Sequence, residues 1–302
     1  MGLRVGMAWW VGCLAAASSG AQRQQAHLGI DFGSEFLKLA MEVTDGADCR
    51  DVSPQPARCR GFAPRADPVV LTLAGSRKTP AAVRLRDESL FFGVDALSTQ
   101  LRHPALTFVH PKQMLGWSAS QAGQATGGTM ALGGSAWFEQ AGIRWFSFLA
   151  DEGRGTLRVT SCCPHVCISA EELVGLLLAH VLDDTSATLA EERGEALAGR
   201  EMAEQALVML TVPPWWARRQ RQALHDAATV AGLLHVELVE GPTALAFKFL
   251  LDYSPFYEQP LLPELRALLI DIGASGSTAS VVSLRRSATE GKQYRRYGCV
   301  YN

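Results

Sequence analysis

The sequence predicts an α/β protein with a mixed sheet, on three observations. An apolar run at 28–30 leads into Asp31-Phe32-Gly33-Ser34-Glu35, after which Leu37, Leu39, Met41 and Val43 alternate with Lys38, Ala40 and Glu42. A period of two marks a half-buried strand, so the stretch reads as strand, tight turn, strand. The pattern returns late in the chain: an apolar run at 267–270, the small-residue bend Asp271-Ile272-Gly273-Ala274-Ser275-Gly276-Ser277-Thr278, and a resumed strand at 279–284. Between the two hairpins, apolar strands and helices alternate over 205–251, the order of a layered α/β unit.

Each D-x-G bend has two readings. Asp and Gly serve hairpin turns for backbone reasons alone. Successive backbone N–H groups in such a bend also form a concave site for an anion such as phosphate. Two copies, each after an apolar strand, strengthen the second reading. Carboxylates on opposing hairpins, Asp31 and Asp271, would hold a hydrated Mg2+ against a polyphosphate, since Mg2+ keeps several waters and takes one or two carboxylates.

Composition bounds the rest. A chain of 302 residues has room for two or more domains, and an apolar content of 48% argues against global disorder. A net charge of −2 gives no broad basic field, which argues against nucleic acid as the main partner. Residues 1–25 read as a secretory signal: Arg4 supplies the positive start, 5–17 the apolar stretch, and Ser18-Ser19-Gly20-Ala21 the small residues for cleavage. A membrane anchor is the alternative, but the run is shorter than the roughly 20 residues of a span, and no other stretch is read as crossing a bilayer. Of seven cysteines, Cys13 leaves with the signal and the rest enter a compartment that permits disulfides. Cys49 and Cys59 flank a Pro/Arg-rich loop. Cys162, Cys163 and Cys167 cluster with His165 at a spacing that matches no standard zinc pattern, so buried thiols or one disulfide are expected. The only asparagine is Asn302, so the chain contains no N-glycosylation sequon.

In chain order, 45–68 lacks periodicity and reads as a surface insertion. Strands at 69–73 and 81–85 flank a turn at 75–80. A further strand ends at 91–93, and a helix at 95–102 stops before Pro104. T-F-V-H-P-K-Q-M-L-G-W fills 107–117, and 118–135 is a Gly/Ala/Ser/Thr-rich loop. Aromatic residues at 137–148 read as core, and 156–160 as strand. Ser169-Ala170-Glu171-Glu172 is a capping box opening a helix that buries Leu173, Leu176, Leu177 and Val181. His180 beside that face reads as structural, and 191–204 as a solvated continuation. A strand at 205–212 stops at Pro213-Pro214. The helix at 217–231 carries Arg218, Arg219 and Arg221 on a solvated face and ends at Gly232. Leu234, Val236 and Leu238 form a strand, Pro242 sits in the first turn of a helix at 244–251, and 253–263 is a linker.

Several stretches, in order, resemble the nucleotide-binding domain of the heat shock protein 70 chaperones. They are L-G-I-D-F-G-S at 28–34, R-K-T-P at 77–80, L-T-V-P-P-W-W-A-R-R-Q-R-Q-A-L-H-D-A-A-T-V-A-G-L at 210–233, G-P-T-A-L-A at 241–246 and L-I-D-I-G at 269–273. With the signal and Gly33-Ser34-Glu35, the likeness is to the large endoplasmic-reticulum branch, the glucose-regulated or hypoxia up-regulated stress chaperones. The resemblance implies an actin-like (ribonuclease H-like) ATPase fold of two lobes, with 26–265 the first lobe and 266–302 the opening hairpin of a second, truncated lobe. It implies ATP or ADP with Mg2+ in the cleft. Asp31 and Asp271 would position metal-bound water, Gly33, Ser34, Gly273, Ser275 and Gly276 would contact phosphate, and Pro213 and Arg221 would couple nucleotide state to a peptide-binding region.

The departures matter as well. A gapless count puts Leu97 where family ATPases carry a lysine on the helix after the F-G motif, and an apolar side chain cannot stabilise developing charge. The family's acid before P-T-A falls on Gly241, with Glu240 one position early. Ala274-Ser275-Gly276 replaces two glycines and a threonine, and a later acid is Thr278. The lost lysine is tolerated in the large branch, which resembles this chain there; the other losses imply slow hydrolysis, or binding with little hydrolysis. The resemblance therefore implies an ATP-binding chaperone or nucleotide-exchange co-chaperone of the endoplasmic reticulum lumen, with unfolded clients and a partner chaperone of the same family. An actin-fold sugar or small-molecule kinase and a non-catalytic module with a decayed cleft are the alternatives.

Overall fold

The computed structural model describes residues 25–44, 69–71, 73, 75–86, 89–117, 147–151, 153–162, 165–193, 203–204, 206–252, 264–287 and 291–301. The signal at 1–24, the insertions at 45–68 and 118–135, the linker at 253–263, Cys49 and Cys59 all lie outside the described residues.

The first hairpin forms as its alternation predicts. Strands β1 (Gln25–Phe32) and β2 (Phe36–Thr44) pair antiparallel around the turn Gly33-Ser34-Glu35. Leu37, Leu39 and Met41 are buried, while the Lys38 side chain is about one-third exposed. The segment after the insertion is more broken than its apolar run suggests. Strands β3 (Val69–Val70) and β4 (Thr79–Pro80) both pair with β2, so half of R-K-T-P belongs to the sheet rather than to a turn. Strands β5 (Ala82–Arg86) and β6 (Ser89–Phe92) and helix α1 (Gly93–Ser98) follow, and α1 is shorter than its sequence implies, with Leu97 41% exposed. Residues 104–106 and 111–114 are short 3-10 turns on either side of β7 (Thr107–Val109), which pairs with β5.

Strands β8 (Ser147–Asp151), β9 (Thr156–Cys162) and β10 (His165–Ser169) form a separate antiparallel sheet. Cys162 and His165 thus stand opposite each other in a hairpin, and Cys167 is a free, exposed thiol, not the buried one expected. Helix α2 (Ala170–Arg193) opens with both bonds of the capping box: Glu172 N–H donates to Ser169 Oγ at 3.1 Å, and Ser169 N–H to Glu172 Oε2 at 2.7 Å. Its buried face is Leu173, Val174, Leu177, Leu178, Val181 and Leu182; Leu176, expected inside, is only partly buried. By length and hydropathy, 170–190 would also suffice to cross a bilayer, against the expectation for the mature chain, and half of it is buried inside the protein. His180 stacks on Phe92 with ring centroids 4.4 Å apart, a structural contact.

Strand β11 (Leu207–Val212), helix α3 (Arg218–Val230), β12 (His235–Glu240) and helix α4 (Gly241–Asp252) complete the central layer. The main sheet runs β12-β11-β1-β2-β3, parallel from β12 through β1 and antiparallel from there, with β4 also on β2. Helices α2 and α3 pack together, and their apolar faces join the buried side of β1, β2 and β11 in one core. Strands β13 (Glu264–Ile272), β14 (Ser277–Ser287) and β15 (Gly291–Tyr301) form another antiparallel sheet. Its contact with α4 is a small cluster, Ala246, Leu269 and Val282. On β13 the alternate residues Leu268, Ile270 and Ile272 are 62%, 60% and 79% exposed.

Leu178 is fully buried in the main core and Leu101 is 96% exposed. Leu178→Ala is expected to lower unfolding free energy by about 2–5 kcal/mol, and Leu101→Ala to change it by less than about 0.5 kcal/mol. Chemical denaturation of the two variants checks both.

Candidate functional site

The two D-x-G bends come together. Ser34 Oγ lies 2.6 Å from Ser275 Oγ, a hydrogen bond between residues 241 apart in sequence. Around that contact is a cleft of about 340 Å3, lined by 31–36, 211–215, Gly241, Pro242, 271–276 and Thr278, with Lys38, Lys78 and Lys112. Asp31, Gly33, Ser34, Pro213, Asp271, Gly273, Ser275 and Gly276 all line it; Arg221 does not.

The turn chemistry divides the labour among the small residues. Gly33 N–H donates to Phe36 O at 3.1 Å and Gly273 N–H to Gly276 O at 2.9 Å, so these two amides close their own turns. A Cβ at Gly33 would stand 2.4 Å from Phe36 O, which is why only glycine fits there. Among the described residues, the amides of Ser34, Glu35, Ala274, Ser275 and Gly276 donate to no backbone carbonyl. They are the donors left for an anion. Gly33 and Gly273 therefore shape the cradle, and their neighbours supply it.

Asp31 is held from two sides. Thr211 Oγ1 accepts from Phe32 N–H at 3.0 Å and donates to Asp31 Oδ1 at 3.0 Å. Lys38, opposite Asp31 in the hairpin register, places Nζ 2.9 Å from Asp31 Oδ2. Asp271, on the other bend, is exposed and makes no described hydrogen bond or ion pair. No group of three or more His, Cys, Asp or Glu among the described residues could hold a metal ion. Each Asp31 oxygen already has a partner, the Thr211 hydroxyl on Oδ1 and the Lys38 ammonium on Oδ2, so Asp31 as arranged offers less to a cation than the unpaired Asp271. The cleft lining also offers an anion amides without a backbone acceptor and the ammonium groups of three lysines.

The floor of the cleft corrects the sequence count. Leu97 lies on α1, well exposed and outside the cleft; the lysine buried at the cleft floor is Lys112. Its Nζ donates to Phe32 O and lies 5.2 Å from the Phe32 ring and 5.4 Å from the Trp216 ring. Burial pushes the Lys112 pKa down, the carboxylates of Asp31 and Asp271 pull it partly back up, and it comes to rest at about 8. The segment carrying it is pinned at both ends. His110 adopts a left-handed backbone (φ 55°) and pairs Nδ1 with Ser34 O at 2.9 Å. Gly116, at φ 72°, packs so closely on α3 that a Cβ would meet Gln220 Cα at 2.7 Å. A gapless count from Gly93 misses Lys112 because two turns and a strand lie between them. The signal that finds it is the lysine within T-F-V-H-P-K, with Pro111 setting the turn. Lys78, from R-K-T-P, also lines the cleft, with Nζ 5.5 Å from the Phe36 ring.

Arg221 is not on a solvated face. It donates to Trp216 O at 3.0 Å and Pro214 O at 3.2 Å, and pairs with Glu240 Oε1 at 2.9 Å. It ties the loop after β11, including Pro213 at the cleft wall, to the end of β12.

Comparison with known proteins adds the lineage. The Hsp70 protein family matches residues 171–293. Over 286 residues, 93% of this chain and 24% of the relative, the chain is 26% identical to "Hypoxia up-regulated protein 1" of Danio rerio. It is 25% identical over 268 residues to the Homo sapiens protein of that name, covering 88% of this chain and 22% of the relative. It is 22% identical over 259 residues to "Heat shock protein 88" of Dictyostelium discoideum, covering 86% of this chain and 27% of the relative. The chain thus spans about a quarter of the length of these relatives. Family match and relatives agree: the chain is similar to Hsp70 proteins, at low identity, over most of its length.

Proposed function

We propose that this chain is the phosphate-gripping part of an actin-like, Hsp70-type nucleotide-binding lobe, and that it serves a chaperone or nucleotide-exchange co-chaperone of the endoplasmic reticulum. The observation that carries the reading is the Ser34–Ser275 contact, which sets two phosphate-type bends face to face over a buried lysine. Relatives named for hypoxia up-regulation support the compartment and the stress role, as does the secretory-type leader. Unfolded clients and a partner chaperone of the same family are the partners that this reading carries.

The ligand of this reading is ATP or ADP. The amides of Ser34, Glu35, Ala274, Ser275 and Gly276 and the Ser34 and Ser275 hydroxyls receive phosphate oxygens, with Gly33 and Gly273 giving the bends their shape. Lys112, at the cleft floor, supplies a cation able to stabilise charge on a phosphoryl oxygen, the part that the Leu97 count had left empty. Any Mg2+ arriving with the nucleotide would meet Asp271, the carboxylate open to its hydration shell, while Asp31 across the cleft stays paired with Lys38. Pro213 and Arg221 couple the cleft wall to β12 and α4: a ligand shifts an equilibrium only through contacts that differ between two states, and the Arg221–Glu240 pair is a contact able to differ.

Calorimetry of the 302-residue chain with ATP tests the reading. Saturable heat is expected, and its absence with well-folded protein defeats the nucleotide assignment. Binding should also depend on pH through Lys112. Below about 8 the ammonium is charged and attracts phosphate; above that value the free protein loses the proton that the complex keeps. Affinity is therefore expected to fall by up to about tenfold per pH unit above 8. Lys112→Met should bind more weakly at pH 7 and show a flat profile from 7 to 9, and an unchanged slope in that variant would remove Lys112 from the site.

A further inference from the structure

We propose that Lys38 is a built-in counter-cation for Asp31, and that it lets this cleft take nucleotide phosphates with little dependence on Mg2+. This inference rests on the nucleotide site proposed above. Its ground is the fate of the two Asp31 oxygens. Oδ1 accepts the Thr211 hydroxyl at 3.0 Å, and Oδ2 accepts the Lys38 ammonium at 2.9 Å. The pairing is set by the fold, because Asp31 and Lys38 are directly opposed partners in the β1–β2 ladder. Both side chains are about two-thirds buried, at 28% and 33% exposure, so the pair is more than a solvated surface contact.

Two consequences follow from elementary electrostatics. A bare carboxylate in a phosphate cleft repels the polyanion, and the usual remedy is a divalent cation between them. Here the ammonium already cancels the charge of Asp31. An ammonium also carries three donors and spends one on Asp31, so Lys38 has donors to spare for a phosphate oxygen without letting go of the acid. A hydrated Mg2+ drawn to the same carboxylate would meet a fixed positive charge beside it. Lys112 beneath the bends adds to the same balance, since its side chain feels both Asp31 and Asp271.

Lys38 is thus a positioning and charge-balancing residue rather than a catalytic one. The test compares ATP and inorganic tripolyphosphate binding by the full chain in excess Mg2+ and in excess chelator. The native chain should bind each probe with affinities within about threefold of one another under the two conditions. Lys38→Met should lose about tenfold or more in chelator while losing much less in Mg2+, and Lys38→Arg should restore binding in chelator. Circular dichroism verifies that each variant is folded, and the arginine variant keeps the test informative if the methionine variant is not. Native binding that disappears in chelator, or a Lys38→Met loss of equal size in both conditions, overturns the role of Lys38 and leaves the nucleotide site standing. A folded native chain that binds neither probe in either condition overturns both.

Discussion

The site depends on how the end of β1 is tied down. Phe32 is fully buried just past the end of the β1–β11 ladder, so the N–H and C=O it turns to that side need other partners. Thr211, next in line on the parallel neighbour β11, accepts the N–H, and Lys112 donates to the carbonyl. A hydroxyl has one hydrogen to give, and that of Thr211 goes to Asp31. Satisfying the backbone of one buried residue thereby orients the acid of the first bend and sets the lysine of the cleft floor. Threonine at 211 does this where valine, of the same shape, would leave both Phe32 N–H and Asp31 Oδ1 short of a partner.

Much of this was legible in sequence where the signal is local. The two hairpins follow from alternation, and the α2 start from Ser169 and Glu172 at capping-box spacing. The α3 end follows from Gly232, which takes φ 81°. The Asp31–Lys38 pair was also within reach, because a three-residue turn fixes the register that opposes them. What escaped was what depends on distant packing. Lys112 is placed by His110 against Ser34 and by Gly116 against α3, contacts that no count along the chain reveals. Arg221 looks like one of three arginines on a polar helix face, and only the return of β12 beside α3 brings Glu240 within 2.9 Å. Strand β15 lacked a clear apolar period, and it is placed through pairing along β14.

The likeness to Hsp70 proteins implies acids that address a metal through water, and the local chemistry differs from it on charge. The side chains show one acid, Asp31, already neutralised by a partner on its own hairpin, and another, Asp271, exposed on the facing bend. The asymmetry follows from the two hairpins themselves. In the first, the residue opposite the acid is Lys38; in the second it is Thr278, which has no charge to offer. Two bends of similar backbone shape thus present different electrostatics to whatever lies between them.

The attachment of the second sheet completes this picture. The main core unites β1, β2, β11, α2 and α3 through a large set of fully buried aliphatic side chains. The β13–β14 hairpin joins it through Ala246, Leu269 and Val282, and through a serine–serine bond at the exposed mouth of the cleft. Buried apolar area sets the cost of separating packed elements, so the second bend is held far more lightly than the first. Helix α4 bridges the two: its start, at Gly241 and Pro242, lines the cleft directly after Glu240, and its middle packs on β13 and β14. A change at the Arg221–Glu240 pair therefore acts on the end of the helix whose other contacts carry Asp271. Because the two attachments are so unequal, strain applied at α4 is relieved most cheaply by moving the more lightly held sheet.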